Sequence, residues 1–200
     1  MEGSVTGETG SSRDISNEAD YQSLIGYRMA ADGVLTTAST ARKERYRRSK
    51  HVPLALVSKS GDFSDIPAVE QVNAGPQDSQ VFLLVHRSLV RKTRRRYQNP
   101  WVTVCCIGGG GAFRLSLRLS SLGWRRILVE SGPTFANWLL NRAVVQIVAL
   151  TVVGFEGGSP LAAASAGFAS LGIRGAVMES AESVDDTLFT RWTDITTDPL

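Results

Sequence analysis

The sequence predicts an α/β fold, a sheet covered by helices on its faces, and three observations carry that reading. Apolar β-rich runs and helical segments alternate along the chain, giving about eight strands and at least three helices. The 200 residues, 21.6 kDa, are enough to bury a sizeable core, and 42% of them are hydrophobic against 20% charged. No internal repeat and no second apolar core is visible, so residues 1–200 read as a single domain.

The elements follow in order. After a polar start from Met1 to about Ile15, Ser16 stands where an N-cap belongs, with Glu18 and Asp20 in the first turn. Tyr21, Leu24, Ile25, Arg28 and Met29 recur at helical spacing, predicting a helix over Asn17–Ala31 that Asp32-Gly33 breaks. Val34–Thr37 is a short buried strand. The charged stretch Arg42–Lys50 leads into Pro53–Ser58, a strand that opens on a proline. Ser60-Gly61-Asp62 turns the chain, and Asp62–Ser79 has no period. Val81–Val85 and Trp101–Ile107 are further strands, separated by the basic stretch Arg87–Arg96, and Gly108–Gly111 is a connector. Phe113–Leu122 fits a strand and a helix equally. Arg126–Glu130 is a strand that runs through Ser131-Gly132 into a helix over Thr134–Arg142, with Pro133 at its first position. Val144–Val153 reads as a long strand, Gly157-Gly158 as a turn and Leu161–Ser170 as a small-residue segment. Strands near Leu171–Val177 and Thr187–Thr193 close the chain.

Composition excludes several classes. Lys and Arg number 22 against 19 Asp and Glu, and the resulting +3 is too mild to imply nucleic acid unless it is focused in one place. The longest apolar run, Ala143–Phe155, is interrupted by Gln146 and is shorter than the roughly 18 residues of a membrane span. Met1–Ser16 has neither the basic nor the apolar region of a secretory signal. Cys105 and Cys106 are adjacent and cannot staple distant segments, so a reduced, cytoplasmic chain is expected. No metal-ligand spacing occurs.

Several constellations could carry chemistry. At Ile127–Thr134 a buried strand passes through small residues into a helix N-terminus, a place that suits a phosphate or pyrophosphate and equally fits an ordinary tight turn. Ser58-Lys59-Ser60 closes another strand with two hydroxyls and a cation, which could hold the 2′-phosphate of NADP or form a solvated turn. Asp32 and Glu44 flank a strand rich in hydroxyls (Thr36, Thr37, Ser39, Thr40), where a carboxylate can act as acid, base or cap. The run Arg91–Arg96 has no nucleic-acid-binding fold motif and few aromatics beside it. A solvated helix face is the expectation, and nucleic acid is not an expected partner.

Taken together, these segments resemble the reductase domain at the C-terminus of the bifunctional riboflavin-biosynthesis deaminase/reductase, RibD. They are closer still to stand-alone actinobacterial pyrimidine reductase relatives. The family's Leu-Asp-Gly and Gly-x-Ser turns appear as Met1-Glu2-Gly3 and Thr9-Gly10-Ser11-Ser12. Its Leu-Arg and Asp-x-Val-Leu appear as Tyr27-Arg28 and Asp32-Gly33-Val34-Leu35. Thr37–Glu44 matches Gly-x-x-Thr-Val-Arg-Ala-Glu/Asp. The most diagnostic segment, Arg-Arg-Ile-Leu-x-Glu-Gly-Gly-Pro-Thr, is Arg125–Thr134, and Leu188-Phe189-Thr190-Arg191-Trp192 fits the C-terminal motif.

The resemblance implies a dihydrofolate-reductase-like, three-layer α/β/α fold with a mixed, mostly parallel central sheet, whose first strand is missing because the chain starts inside the first motif. It implies NADPH as cofactor, a homodimer, and hydride transfer to C1′ of a ribosylamino-pyrimidine. By family position Glu44 is the catalytic carboxylate, and Ser12, Ser16 and Arg28 face the substrate. Thr37, Thr40, Ser58, Lys59, Glu130, Gly132, Pro133 and Thr134 lie on the cofactor side. The departures are Glu2 for Asp, Ser131 for the first Gly of Glu-Gly-Gly, His51 where an Arg holds substrate phosphate, and Val144-Val145-Gln146 for Val-Asp-Glu. Two other functions compete: a truncated or degenerate reductase fold that binds dinucleotide without turnover, and a basic module for RNA or an acidic partner.

Overall fold

Continuous apolar runs such as Leu54-Ala55-Leu56-Val57 are what a strand needs when both its faces are covered, and such strands build the central sheet. The computed structural model describes residues 17–70, 79–109 and 111–197. Strands β1 (Gly33–Thr37), β2 (Leu54–Val57), β3 (Val81–Val85), β4 (Val102–Cys106) and β5 (Ile127–Val129) pair in the order β4-β3-β2-β1-β5, all parallel. Val34 stands opposite Leu54 on one side and Leu128 on the other. The chain thus steps in one direction from β1 to β4, then returns to the free side of β1. This is the three-layer α/β fold with a parallel central sheet.

Helices α1 (Glu18–Ala30), α2 (Ala38–Lys43), α3 (Pro67–Glu70), α4 (Val90–Arg96) and α5 (Ala112–Ser121) accompany this sheet. The cap of α1 is Asn17, whose Oδ1 accepts the Asp20 N–H at 3.0 Å; Ser16 lies outside the described residues. Thr37 caps α2, accepting the Thr40 N–H. The segment 113–122 is helical: Leu115 and Leu119 are buried four residues apart, while Phe113 and Leu117 face solvent. The expected irregular segment after Asp62 contains the one-turn α3, whose Pro67, Ala68 and Val69 are all buried.

The core of this unit gathers Leu54, Leu56, Phe63, Ile66, Val69, Val81 and Leu83. Phe63 meets the Tyr97 ring edge-on at 5.7 Å, and the Phe63 N–H donates to Tyr97 Oη at 2.8 Å. Asp62 accepts from Ser64 and Tyr97 and pairs with Arg96 and Arg42, tying the turn after β2 to α2 and α4. Its carboxyl is held below the usual range, chiefly by the Ser64 N–H. Asp32 accepts the N–H groups of both Arg125 and Arg126 at 2.7 Å, so it staples the entry to β5.

A second unit has its own antiparallel sheet. Helix α6 (Pro133–Leu140) begins at Pro133, followed by β6 (Val148–Val153), α7 (Pro160–Leu171), β7 (Ile173–Val184) and β8 (Thr187–Thr197), with strand order β6-β8-β7. The expected strand over 144–153 starts only at Val148, because the chain leaves α6 through a turn with Ala143 at φ 50. The small-residue segment is helix α7, with Ser159 as N-cap, Pro160 in the first turn and Gly172 left-handed at its end. Phe168 packs edge-on against Trp192 at 4.8 Å in this core. The two compact units are Met1–Leu24 with Pro133–Leu200, and Ile25–Gly132. The mixed sheet of the sequence reading is therefore a parallel sheet in one unit and an antiparallel sheet in the other. The missing first strand concerns residues that lie outside the described ones. No helix among the described residues is long and apolar enough to cross a membrane.

Gly33, at the start of β1, has a specific steric role. A Cβ there would stand 2.4 Å from the Trp124 ring, which is 6% exposed and packs edge-on against Phe82. Gly33→Ala is expected to destabilise the protein by about 1–3 kcal/mol through overpacking. Adding Trp124→Leu should recover part of that loss, and urea denaturation of the single and double variants measures the coupling.

Candidate active site

In an open parallel sheet, ligands bind beyond the carboxyl ends of the strands where the strand order reverses. Here that point lies between β1 and β5, at Thr37 and Glu130. The Glu130 N–H donates to Leu35 O at 2.9 Å, which fixes the backbone at the end of β5. Its carboxylate then receives three donors. Arg28 Nε reaches Oε1 at 2.7 Å, Arg28 Nη2 reaches Oε2, and Tyr46 Oη donates to Oε2 at 2.6 Å. The Glu130 side chain is only 9% exposed and that of Arg28 34%, so the pair is largely desolvated and the bidentate geometry compensates it. Arg28 also lies 5.5 Å from the Tyr46 ring centre. Hydrogen bonding to Glu130 raises the Arg28 pKa, and burial, with Glu130 beside it, raises that of Tyr46. Beyond Glu130, the buried Ser131 Oγ has no hydrogen-bond partner, and the space where a Gly132 Cβ would stand is open.

The other sequence-derived residues fall as follows. Thr37 and Thr40 stand together at the end of β1, their hydroxyls 2.9 Å apart and engaged in capping α2. Ser58 Oγ is also committed to a turn, accepting the Gly61 N–H at 3.1 Å and lying 3.2 Å from Ser60 Oγ. Lys59 is exposed at the end of β2. Glu44 follows the last residue of α2 and its backbone N–H caps that helix. Six helical residues separate it from Thr37, about 9 Å of helix rise. Pro133 and Thr134 open α6 in the other unit, and Ser12 and Ser16 lie outside the described residues.

Sequence reasoning missed two features. Tyr46 is the residue of its segment that reaches Glu130, and nothing in its spacing announced this. His86-Arg87-Ser88, just past β3, lies on the same carboxyl edge. His86 Nδ1 accepts the Ser88 N–H at 3.3 Å, and the Arg87 N–H donates to Gly108 O beyond β4. The position directly after a parallel strand was the available signal. Among the described residues no group of three or more His, Cys, Asp or Glu could hold a metal.

Comparison with known proteins now decides the family. The model of the RibD C-terminal domain matches residues 1–169. The chain belongs to the RibD C-terminal domain family. No curated protein sequence matches it. Among solved structures, a pyrimidine reductase-like protein from Corynebacterium diphtheriae is 18% identical with a TM-score of 0.66, the match covering 96% of this chain and 87% of that one. The deaminase/5-amino-6-(5-phosphoribosylamino)uracil reductase of Thermotoga maritima is 14% identical with a TM-score of 0.68, covering 96% and 53%. A RibD from Acinetobacter baumannii is 13% identical with a TM-score of 0.60, covering 90% and 51%. The chain thus spans about half the length of these two larger proteins, and at such identities the likeness concerns the fold alone. The Glu130 cluster lies on the segment Glu130–Thr134, which departs from the family pattern described above by having Ser131 in place of the first Gly.

Removing Arg28 would leave a nearly buried carboxylate with Tyr46 alone. Arg28→Ala should cost about 1–3 kcal/mol, below the cost of breaking a fully buried pair because Arg28 is one-third exposed. Tyr46 stabilises the fold below the ordinary tyrosine pKa of about 10, and this contribution is lost as pH rises above it, because the unfolded phenol ionises first. Denaturation midpoints measured from pH 8 to 11 should therefore fall less steeply in Tyr46→Phe than in the parent protein.

Proposed function

We propose that the chain is an NADPH-dependent reductase that converts a ribosylamino-pyrimidine to its ribitylamino product, resembling 5-amino-6-(5-phosphoribosylamino)uracil reductase. The observation that carries this reading is the desolvated Glu130 cluster at the strand-order reversal, within the family's most specific motif. The dinucleotide, when bound, supplies hydride to C1′ of the ring-opened imine, and a proton completes the two-electron reduction. The residues fit such a group: an unpartnered buried Ser131 hydroxyl, open space at Gly132, and Lys59 on the same carboxyl edge.

In this reading Gly132, Pro133 and Thr134 take the cofactor's phosphates, Thr37, Thr40, Ser58 and Lys59 line its remaining length, and Glu130 fixes the end of β5 that presents them. Glu44 is the catalytic carboxylate that handles the proton. Arg28 belongs to the substrate side, its remaining guanidinium nitrogen being suited to a phosphate or ribityl oxygen; Ser12 and Ser16, which the family resemblance assigns to the same role, lie outside the described residues. The family match, over residues 1–169, includes parts of both compact units, and in this reading residues 1–200 act as one domain. A homodimer and a cytoplasmic location belong to the same reading.

Thermal shift and tryptophan quenching with NADPH and NADH test the cofactor assignment. Selective micromolar NADPH binding that raises Tm is expected, and Lys59→Ala should reduce the preference over NADH about tenfold. Glu44→Gln should keep NADPH affinity and lose turnover by 100-fold or more. Full reductase activity in Glu44→Gln would remove the catalytic assignment. NADPH binding without turnover on any ribosylamino-pyrimidine would favour the dinucleotide-binding alternative.

A further inference from the structure

A hydroxyl shut off from water and left without a hydrogen bond weakens a fold, so each one asks for a reason. Among the described residues, buried side-chain polar atoms without a partner include those of Thr36, Trp101, Arg118, Ser131 and Asn141. Thr36 is wholly buried within β1, and Trp101, Arg118 and Asn141 lie before β4, on α5 and after α6. Of these five, Ser131 is the one that stands just past the carboxyl end of a strand of the parallel sheet, directly beyond β5.

The other hydroxyls on that edge are spent locally. Thr37 and Thr40 lie 2.9 Å apart and cap α2. Ser58 Oγ accepts the Gly61 N–H at 3.1 Å, Ser60 Oγ accepts the Asp62 N–H at 3.3 Å, and Ser88 Oγ lies 2.8 Å from His86 Nδ1. Serine in a turn ordinarily bonds nearby backbone in this way. The Ser131 hydroxyl does not. The backbone before it is fixed, because the Glu130 N–H donates to Leu35 O at 2.9 Å and the Glu130 carboxylate is held by Arg28 and Tyr46. On the other side Gly132 is exposed, with open space where its Cβ would stand, and Ser131 as a whole is partly exposed although its Oγ is not. Alanine would follow the same backbone without orphaning an oxygen. The ligand-free fold therefore carries a donor that it does not use.

We propose that the Ser131 hydroxyl donates a hydrogen bond to a phosphate oxygen of the bound dinucleotide, turning about its Cα–Cβ bond toward the open side at Gly132 to do so. The inference rests on the dinucleotide reading above and adds to it a residue at which this chain departs from the family pattern, since a glycine there would offer the ligand backbone alone. The missing Cβ at Gly132 lets a ligand come close to the chain. A hydroxyl supplies one donor, and its bond to a charged oxygen is stronger than its bond to a neutral one. The carboxylate next door does not bar an anion, because Arg28 already compensates its charge in bidentate fashion. Ser131 thus lowers the stability of the free protein and raises its affinity for the cofactor.

Two readouts that move in opposite directions test this: the Tm of the ligand-free protein and the Kd for NADPH, each measured for the parent chain, Ser131→Ala and Ser131→Thr. In Ser131→Ala the ligand-free Tm should hold or rise, by up to about 2–4 °C, as the orphaned oxygen is removed. Its affinity for NADPH should fall about tenfold, the worth of a hydrogen bond to a charged acceptor. Inorganic pyrophosphate, competing with NADPH, should lose affinity by the same factor. Ser131→Thr keeps a hydroxyl and should lose less than Ser131→Ala. A ligand-free Tm that falls in Ser131→Ala would mean that the hydroxyl is bonded within the fold, and overturns the proposal. Unchanged NADPH affinity in Ser131→Ala also overturns it while leaving the cofactor reading in place. Equal losses in the Ala and Thr variants would trace the effect to side-chain shape, and a loss for NADPH without one for pyrophosphate would move the contact off the phosphates; either result overturns the assignment. A parent chain that binds neither NADPH nor NADH removes the cofactor reading itself, and this contact with it.

Discussion

The carboxylate of Glu130 needs three hydrogen bonds to exist where it does, and the geometry of the candidate site follows from that requirement. Burying a carboxylate without hydrogen-bond donors is costly, and the structure provides donors from two distant stretches, the last turn of α1 and the loop beyond α2. Arg28 and Tyr46 are thereby drawn to the end of β5. Because Ser131 and Gly132 follow directly, their backbone direction is inherited from the braced residue. The substrate-side and cofactor-side assignments of Arg28 and Glu130 therefore describe two halves of one contact. A ligand that engages Arg28 does so through nitrogen not already committed to Glu130.

The same residue type serves opposite purposes in the Ile25–Gly132 unit. Arg28 and Arg42 are spent internally, on Glu130, on Asp62 and on the Ser64 carbonyl. Arg48 lies 4.3 Å from the Trp101 ring centre. The arginines of α4 point outward over an edge strand. Cationic side chains beside an edge discourage pairing with another chain, and Arg94 at Val104 O stands where it can do so. Net charge, being a sum over the chain, carried no trace of this division.

Much of the fold was legible because parallel strands must be apolar throughout. Leu54–Val57, Val81–Val85 and Ile127–Val129 declared themselves by composition, and the polar breaks between them were real turns. The misreadings have local causes. Helix α2 is six residues long, too short to show a period, and the structure identifies it by the Thr37 cap. Helix α7 is rich in Ala and Gly, so its packing positions Ala164 and Phe168 stand out only once Trp192 is seen against them. Phe113–Leu122 satisfies two periods at once, and burial of Leu115 and Leu119 decides between them. Val144 and Val145 have strand-like side chains, yet the turn that closes α6 takes the chain out of the sheet there.

By itself the sequence determined the α/β class, the positions of the parallel strands, the family resemblance and the candidate status of the segment from Glu130 to Thr134. These depend on composition, short-range spacing and the order of motifs, all of which survive reading in one dimension. Only the tertiary structure decided that Glu130 is held by Arg28 and Tyr46, that Asp32 is a backbone staple, and that Thr37, Thr40 and Ser58 spend their hydroxyls on caps and turns. Arg28 and Glu130 are 102 residues apart, and Tyr46 and Glu130 are 84 apart. A contact at such separation is set by strand order, which places β5 beside β1 after the chain has traversed three other strands, and no local pattern encodes that return.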